Sequence, residues 1–85
     1  MKQFEYVIKD ELGIHARPAG MLVKEAAKFQ SSVKIDKNGK SADAKRLFAI
    51  MGLAVKNGDT VKVIVEGSDE AAAADAMQAF FKANL

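Results

Sequence analysis

The chain of 85 residues has no cysteine, one histidine and one proline. Disulfides, thiolate zinc sites and cysteine nucleophiles are therefore unavailable, and a lone imidazole excludes the usual clusters of histidine ligands. A reducing compartment suits such a chain. No apolar run approaches the roughly 20 residues needed to span a bilayer, and the opening MKQFEYVIKDELG has no apolar stretch of signal-peptide length. The expected location is the cytoplasm, without membrane insertion. Charge of one sign is scarce as well: 13 Lys and Arg against 11 Asp and Glu leave +2, too small an excess to argue for nucleic acid. What is present, 49% hydrophobic and 28% charged residues, suits one small globular domain over residues 1–85, without linker, repeat or second domain.

The hydrophobic pattern divides the chain into seven elements. Phe4, Tyr6 and Ile8 alternate with Gln3, Glu5 and Lys9, the period-two signature of a strand with one buried face. Past the turn Asp10-Glu11-Leu12-Gly13, residues Ala19, Leu22, Val23 and Ala26 recur at helical spacing, with Pro18 tolerated in the first turn. This helix is expected from about residue 16 to 28. Val33 and Ile35 alternate with Lys34 and Asp36, Asn38-Gly39 supplies a two-residue hairpin turn, and Ser41 to Ala44 form the return strand. Between Lys45 and Leu53 the apolar residues are too dense for a half-exposed strand and predict a short helix. After the turn Asn57-Gly58-Asp59, Val61, Val63 and Val65 predict a fourth strand. A last helix follows, with Ser68 as its expected cap, Asp69 and Glu70 in its first turn, an apolar stripe of Ala73, Met77, Phe80 and Phe81, and Lys82 in its last turn.

The order β-α-β-β-α-β-α predicts an α+β fold: an open-faced, two-layer sandwich with three helices on one face of a four-stranded antiparallel sheet. The other face must tolerate water. Gln3, Glu5, Lys34, Asp36, Ser41, Asp43, Lys62 and Glu66 are the residues expected to line it.

One segment does not read as scaffold. Gly13-Ile14-His15-Ala16-Arg17-Pro18-Ala19-Gly20 places the single histidine between a glycine turn and a helix start. The first amides of a helix lack intrahelical partners and lie at the positive end of its dipole, so an anion is stabilised there. Arg17 adds a fork of donors matched to a phosphoryl group. A neutral imidazole has one ring nitrogen free to act as a nucleophile. On these residues alone two readings stay open: a phosphate cradle around an imidazole acceptor, and an ordinary surface histidine ahead of a helix with a solvated arginine, which is the commoner arrangement.

Arg17, Lys24 and Lys28, seven and four residues apart, are expected to form a basic stripe along the first helix, extended by Lys45 and Arg46. Beside it lie Leu47, Phe48 and Met51; at least two of these are expected in the core, the remainder in an apolar patch next to the stripe. Asp10 and Glu11 are adjacent in a turn and could hold a cation, but two carboxylates without further oxygen ligands fall well short of an EF-hand pattern, and no glycine-rich nucleotide loop is present. No metal or cofactor is expected.

Taken together, Gly13-Ile14-His15-Ala16-Arg17-Pro18-Ala19, Asn38-Gly39-Lys40, Lys45 before an apolar short helix, and Glu66-Gly67-Ser68-Asp69-Glu70-Ala71 resemble the HPr family over the whole chain. HPr is the histidine-containing phosphocarrier of the bacterial phosphoenolpyruvate-dependent sugar phosphotransferase system. The resemblance implies that His15 accepts a phosphoryl group on Nδ1 from the phosphohistidine of enzyme I and donates it to enzyme IIA domains of sugar permeases. It further implies that Arg17 and the Ala16 amide stabilise the group in transit, and that the protein is a carrier rather than a stand-alone enzyme. Partners would dock on Arg17, Gly20, Lys24, Lys28, Arg46, Leu47, Phe48 and Met51, and the carrier is expected to be a monomer. Three positions depart from the family pattern: Arg46 stands where many members carry a regulatory serine, Leu12 where a small polar residue is usual, and Gly20 where Ala is usual. Two other readings fit the residues: a paralogue in a nitrogen-related or regulatory phosphorelay, and a binding module that uses the basic stripe alone. The open sheet face lacks the aromatic pair that would stack RNA bases.

Overall fold

The computed structural model describes residues 1–85. Its elements are β1 (Lys2–Val7), α1 (Ala16–Ala26), β2 (Ser32–Lys37), β3 (Lys40–Asp43), α2 (Leu47–Gly52), β4 (Thr60–Glu66) and α3 (Glu70–Asn84). The four strands form one antiparallel sheet in the order β1-β4-β2-β3, with the helices on one face, as the sequence pattern predicts.

Register turns the alternation of each strand into rows across the sheet. Phe4 pairs with Val63, Val63 with Ile35, and Ile35 with Ala42, giving one apolar row beneath the helices. One residue along, Glu5 pairs with Lys62, Lys62 with Asp36, and Asp36 with Ser41, giving a polar row on the open face. Seven of the eight residues expected on that face are exposed and Asp36 is half-buried. The core joins Val33, Ile35, Val61, Val63 and Val65 of the sheet to Leu22 and Ala26 of α1, Ile50 of α2, and Met77 and Phe81 of α3. Phe81 is fully buried and meets Phe4 and Tyr6 edge-on, with ring centroids 6.0 and 5.5 Å apart, contacts that add about 0.5–1.5 kcal/mol each beyond area burial.

Several boundaries differ from the sequence expectation, each for a local reason. α1 stops at Ala26, not residue 28, and Lys28 lies beyond it, its ammonium 3.0 Å from Glu25. α2 begins at Leu47 because Lys45 is drawn out of helical geometry: its amide donates to Asp43 Oδ1 at 2.9 Å and its ammonium to the Phe29 carbonyl at 2.9 Å. Ser68 does not cap α3. The N-cap is Asp69, whose carboxylate turns away from the helix and accepts hydrogen bonds from the amides of Gln30 and Ser31, both at 2.9 Å, and from the Ser31 hydroxyl. Of Leu47, Phe48 and Met51, only Leu47 packs against the core: Phe48 is 84% exposed and Met51 38%. A helix of six residues presents one narrow face inward, and Ile50 fills it.

Candidate functional site

Gly13 sets the approach to the site. It adopts φ +68°, and a Cβ there would lie 2.2 Å from the Val55 carbonyl oxygen, so only glycine fits between this turn and the α2–β4 loop. The next amide, Ile14 N–H, donates to that same carbonyl at 3.1 Å, and the Ile14 side chain is buried. These two contacts fix the backbone that enters α1. The loop on the far side is braced in turn by Lys37, whose ammonium donates to the Ala54 carbonyl at 2.8 Å and pairs with Asp59 at 3.1 Å. The Lys56 amide, followed by Lys37, holds the Asp59 carboxyl below its ordinary range.

His15 is the N-cap of α1, with extended backbone (φ −103°, ψ −177°) and no side-chain capping bond. Its carbonyl accepts the Ala19 amide at 3.0 Å, closing the first helical turn. The amides of Ala16 and Arg17 precede that turn and have no partner in the chain, and Pro18 has no N–H to offer. His15 therefore leaves the helix end open and keeps its own ring free. The side chain is 36% exposed and sits in an open depression of about 370 Å³, lined by Asp10, His15, Arg17, Pro18, Met21 and Asn84. The guanidinium of Arg17 makes no hydrogen bond or ion pair within the protein, so its donors are available to an incoming group.

The depression contains three residues that the sequence pattern did not place beside His15. Asp10 brings Oδ1 to 4.0 Å from His15 Nε2. Met21, 46% exposed, is a large apolar residue on the solvent side of an amphipathic helix, and that break in the pattern is a readable signal. Asn84 arrives from the far end of α3 and has no local signal at all.

The basic stripe is looser than its spacing predicts. Lys24 lies in the last turn of α1 and is exposed, but Lys28 is past the helix end and paired with Glu25, and Lys45 is bound to the Phe29 carbonyl. Arg46 is exposed as the N-cap of α2, next to Phe48 and Met51. Gly20 is half-buried on α1 with open space above it.

A polar, half-exposed histidine at an unsatisfied helix start matches a known family by more than geometry. A family model described as the PTS HPr component phosphorylation site matches residues 2–83. The chain belongs to the HPr family. Among curated HPr relatives, the phosphocarrier protein HPr of Mycoplasma genitalium is 39% identical, over 99% of this chain and 97% of its own length. The HPr-like protein Crh of Halalkalibacterium halodurans is 42% identical, over 95% of this chain and 94% of its own. Among solved structures, HPr from Thermoanaerobacter tengcongensis superposes with a TM-score of 0.93 at 38% identity, covering 98% of this chain and 93% of that one. The protein is thus an HPr-family phosphocarrier, a class of carriers rather than catalysts.

Proposed function

We propose that this protein is the phosphocarrier of a bacterial phosphoenolpyruvate-dependent sugar phosphotransferase system, in which His15 Nδ1 accepts a phosphoryl group from enzyme I and delivers it to enzyme IIA domains. The observation that carries this reading is His15 at the N-cap of α1 beside two amides, Ala16 and Arg17, that nothing in the chain satisfies. A phosphoryl group on the ring supplies the missing acceptors. The Arg17 guanidinium balances its charge. Transfer between two imidazoles is a matter of in-line alignment and charge neutralisation, for which a small module with a preset backbone suffices. No metal or cofactor takes part on the carrier's side.

Docking falls on the surface around the depression. Phe48 and Met51 offer exposed apolar area, with Leu47 at its edge; Gly20 leaves room for close approach, and Lys24, Lys28 and Arg46 attract an acidic partner. Enzyme I and enzyme IIA use this one surface in turn, so the carrier works as a monomer, in the cytoplasm, as a single domain of 85 residues.

Arg46 favours a second reading. An arginine at the family's regulatory serine position suits a paralogue whose acceptors belong to a nitrogen-related or regulatory phosphorelay. Presenting the phosphorylated protein to enzyme IIA acceptors of sugar and nitrogen type separates the two.

The deciding test is intact-protein mass after incubation with phosphoenolpyruvate, Mg²⁺ and a bacterial enzyme I. One acid-labile phosphoryl group, absent from His15→Ala, is the expected result. A wild-type protein that takes up none with several active enzyme I preparations overturns the reading in favour of a binding module.

A further inference from the structure

Asp10 is the one carboxylate in the depression that holds His15, and its placement is fixed rather than incidental. Its amide donates to the Leu85 carbonyl at 2.9 Å, its own carbonyl accepts the Gly13 amide at 3.0 Å, and its Oδ1 accepts the Leu12 amide at 2.8 Å. Backbone and side chain are thereby both held, the latter in a local turn of the kind aspartate forms with the amide two residues on. That same Oδ1 lies 4.0 Å from His15 Nε2. The only other charged group lining the depression is Arg17, from α1, and α3 contributes the neutral Asn84.

We propose that Asp10 is a positioning residue for the phosphoryl transfer: its carboxylate selects the ring form with the proton on Nε2 and balances the charge that the ring gains when Nδ1 is phosphorylated. The inference rests on the carrier reading above and adds a role within it.

The chemistry requires one protonated and one unprotonated ring nitrogen. With the proton on Nε2, facing the carboxylate, the lone pair is on Nδ1. That pair forms the new N–P bond to the phosphoryl group of the partner's phosphohistidine. The partner's N–P bond breaks, and its electrons return to the partner's nitrogen. The Nε2 proton stays in place throughout, so the ring of His15 becomes cationic while Nδ1 carries the phosphoryl anion. On one side Arg17 and the open amides face the anion; on the other Asp10 faces the cationic edge. Delivery to the acceptor reverses each change. The carboxylate orients the imidazole and stabilises its cationic form without itself gaining a proton, the part that aspartate plays beside histidine in hydrolytic triads. At 4.0 Å it acts through charge rather than through a hydrogen bond. Both groups are about one-third exposed, so an effect of roughly fivefold is expected from a pair at this distance.

Two variants separate charge from turn. Asp10→Asn keeps an oxygen for the Leu12 amide and removes the charge; Asp10→Ala removes both. Ring ¹⁵N NMR of the free protein in mildly alkaline buffer, where imidazole is neutral, reads the tautomer without any partner. The expected result is a ring protonated mainly on Nε2 in the wild type and a loss of that preference in Asp10→Asn. Quenched-flow transfer from phosphorylated enzyme I is expected to be roughly fivefold slower in the same variant. An Asp10→Asn protein with wild-type tautomer and rate, the loss confined to Asp10→Ala, overturns the inference and leaves Asp10 as a turn former. A wild type that takes up no phosphoryl group overturns the carrier reading and this inference with it, whatever the tautomer.

Discussion

The two ends of α1 treat their backbone groups in opposite ways. At the start, the amides of Ala16 and Arg17 point to solvent with nothing to bind, and His15, although at the capping position, does not cap. At the end, the amides from Ala27 to Ser31 all have partners. The Ala27, Lys28 and Phe29 amides bond back into the last turn, Gln30 and Ser31 donate to Asp69, and the Phe29 carbonyl receives Lys45. One helix thus carries an open end, with two amides unsatisfied, and an anchoring end that stabilises the fold. The Ser31 hydroxyl, followed by the Gln30 amide, lowers the Asp69 carboxyl to about 2, a measure of how fully that end is closed.

Gly13→Ala breaks the support of the open end most severely. The added Cβ has no space against Val55 and requires φ +68°, so a loss of about 3 kcal/mol or more is expected, read from the urea midpoint. Asp69→Asn opens the closed end. Because the folded carboxyl titrates near 2, below its ordinary 3.8, its contribution is complete above about pH 4 and disappears as pH falls toward 2. Thermal melts should show the Asp69→Asn variant less stable than wild type at neutral pH and missing that acid-side decline. The same variant should leave phosphoryl uptake by His15 unchanged at temperatures where it is folded.

Two smaller substitutions sharpen the comparison by stabilising the region around the open end. Gly20→Ala adds a methyl group where no atom lies within 4 Å, and should gain about 0.5–1 kcal/mol from helix propensity. Ala54→Gly works in the opposite chemical direction. Ala54 holds φ +52° just beyond α2, and relief of that strain, reduced by the freer unfolded chain, should give about 0.5 kcal/mol. Phe48→Ala should move stability least, by under about 0.5 kcal/mol, since the ring is 84% exposed. If Phe48 anchors enzyme I, the same variant slows uptake about tenfold, with acceptance restored at high enzyme I concentration.

The fold was legible because alternation and helical spacing agree with each other in nearly every element. The row Glu5, Lys62, Asp36, Ser41 is visible strand by strand as the polar half of a period-two pattern. The position of His15 and Arg17 at the start of α1 was legible because a glycine turn followed by a proline in the first turn specifies a helix start. Errors arose where a side chain forms a long-range bond in place of a local one. Ser68 precedes an obvious helix, yet Asp69 caps in position and bonds elsewhere; Lys45 looks helical, yet binds Phe29. The expectation that at least two of Leu47, Phe48 and Met51 lie in the core failed because six residues of helix cannot turn four large side chains inward.

Sequence alone determined the order of elements, the face each strand presents and the place of the single histidine at a helix start, since these follow from local periodicity and turn chemistry. Tertiary structure decided what surrounds that histidine. Asn84 comes to it as the Asp10 amide meets the Leu85 carbonyl, joining segments about 75 residues apart, a contact whose partners no local pattern records. It also decided which end of α1 would be closed, because the acceptor for Gln30 and Ser31 comes from Asp69, across the fold.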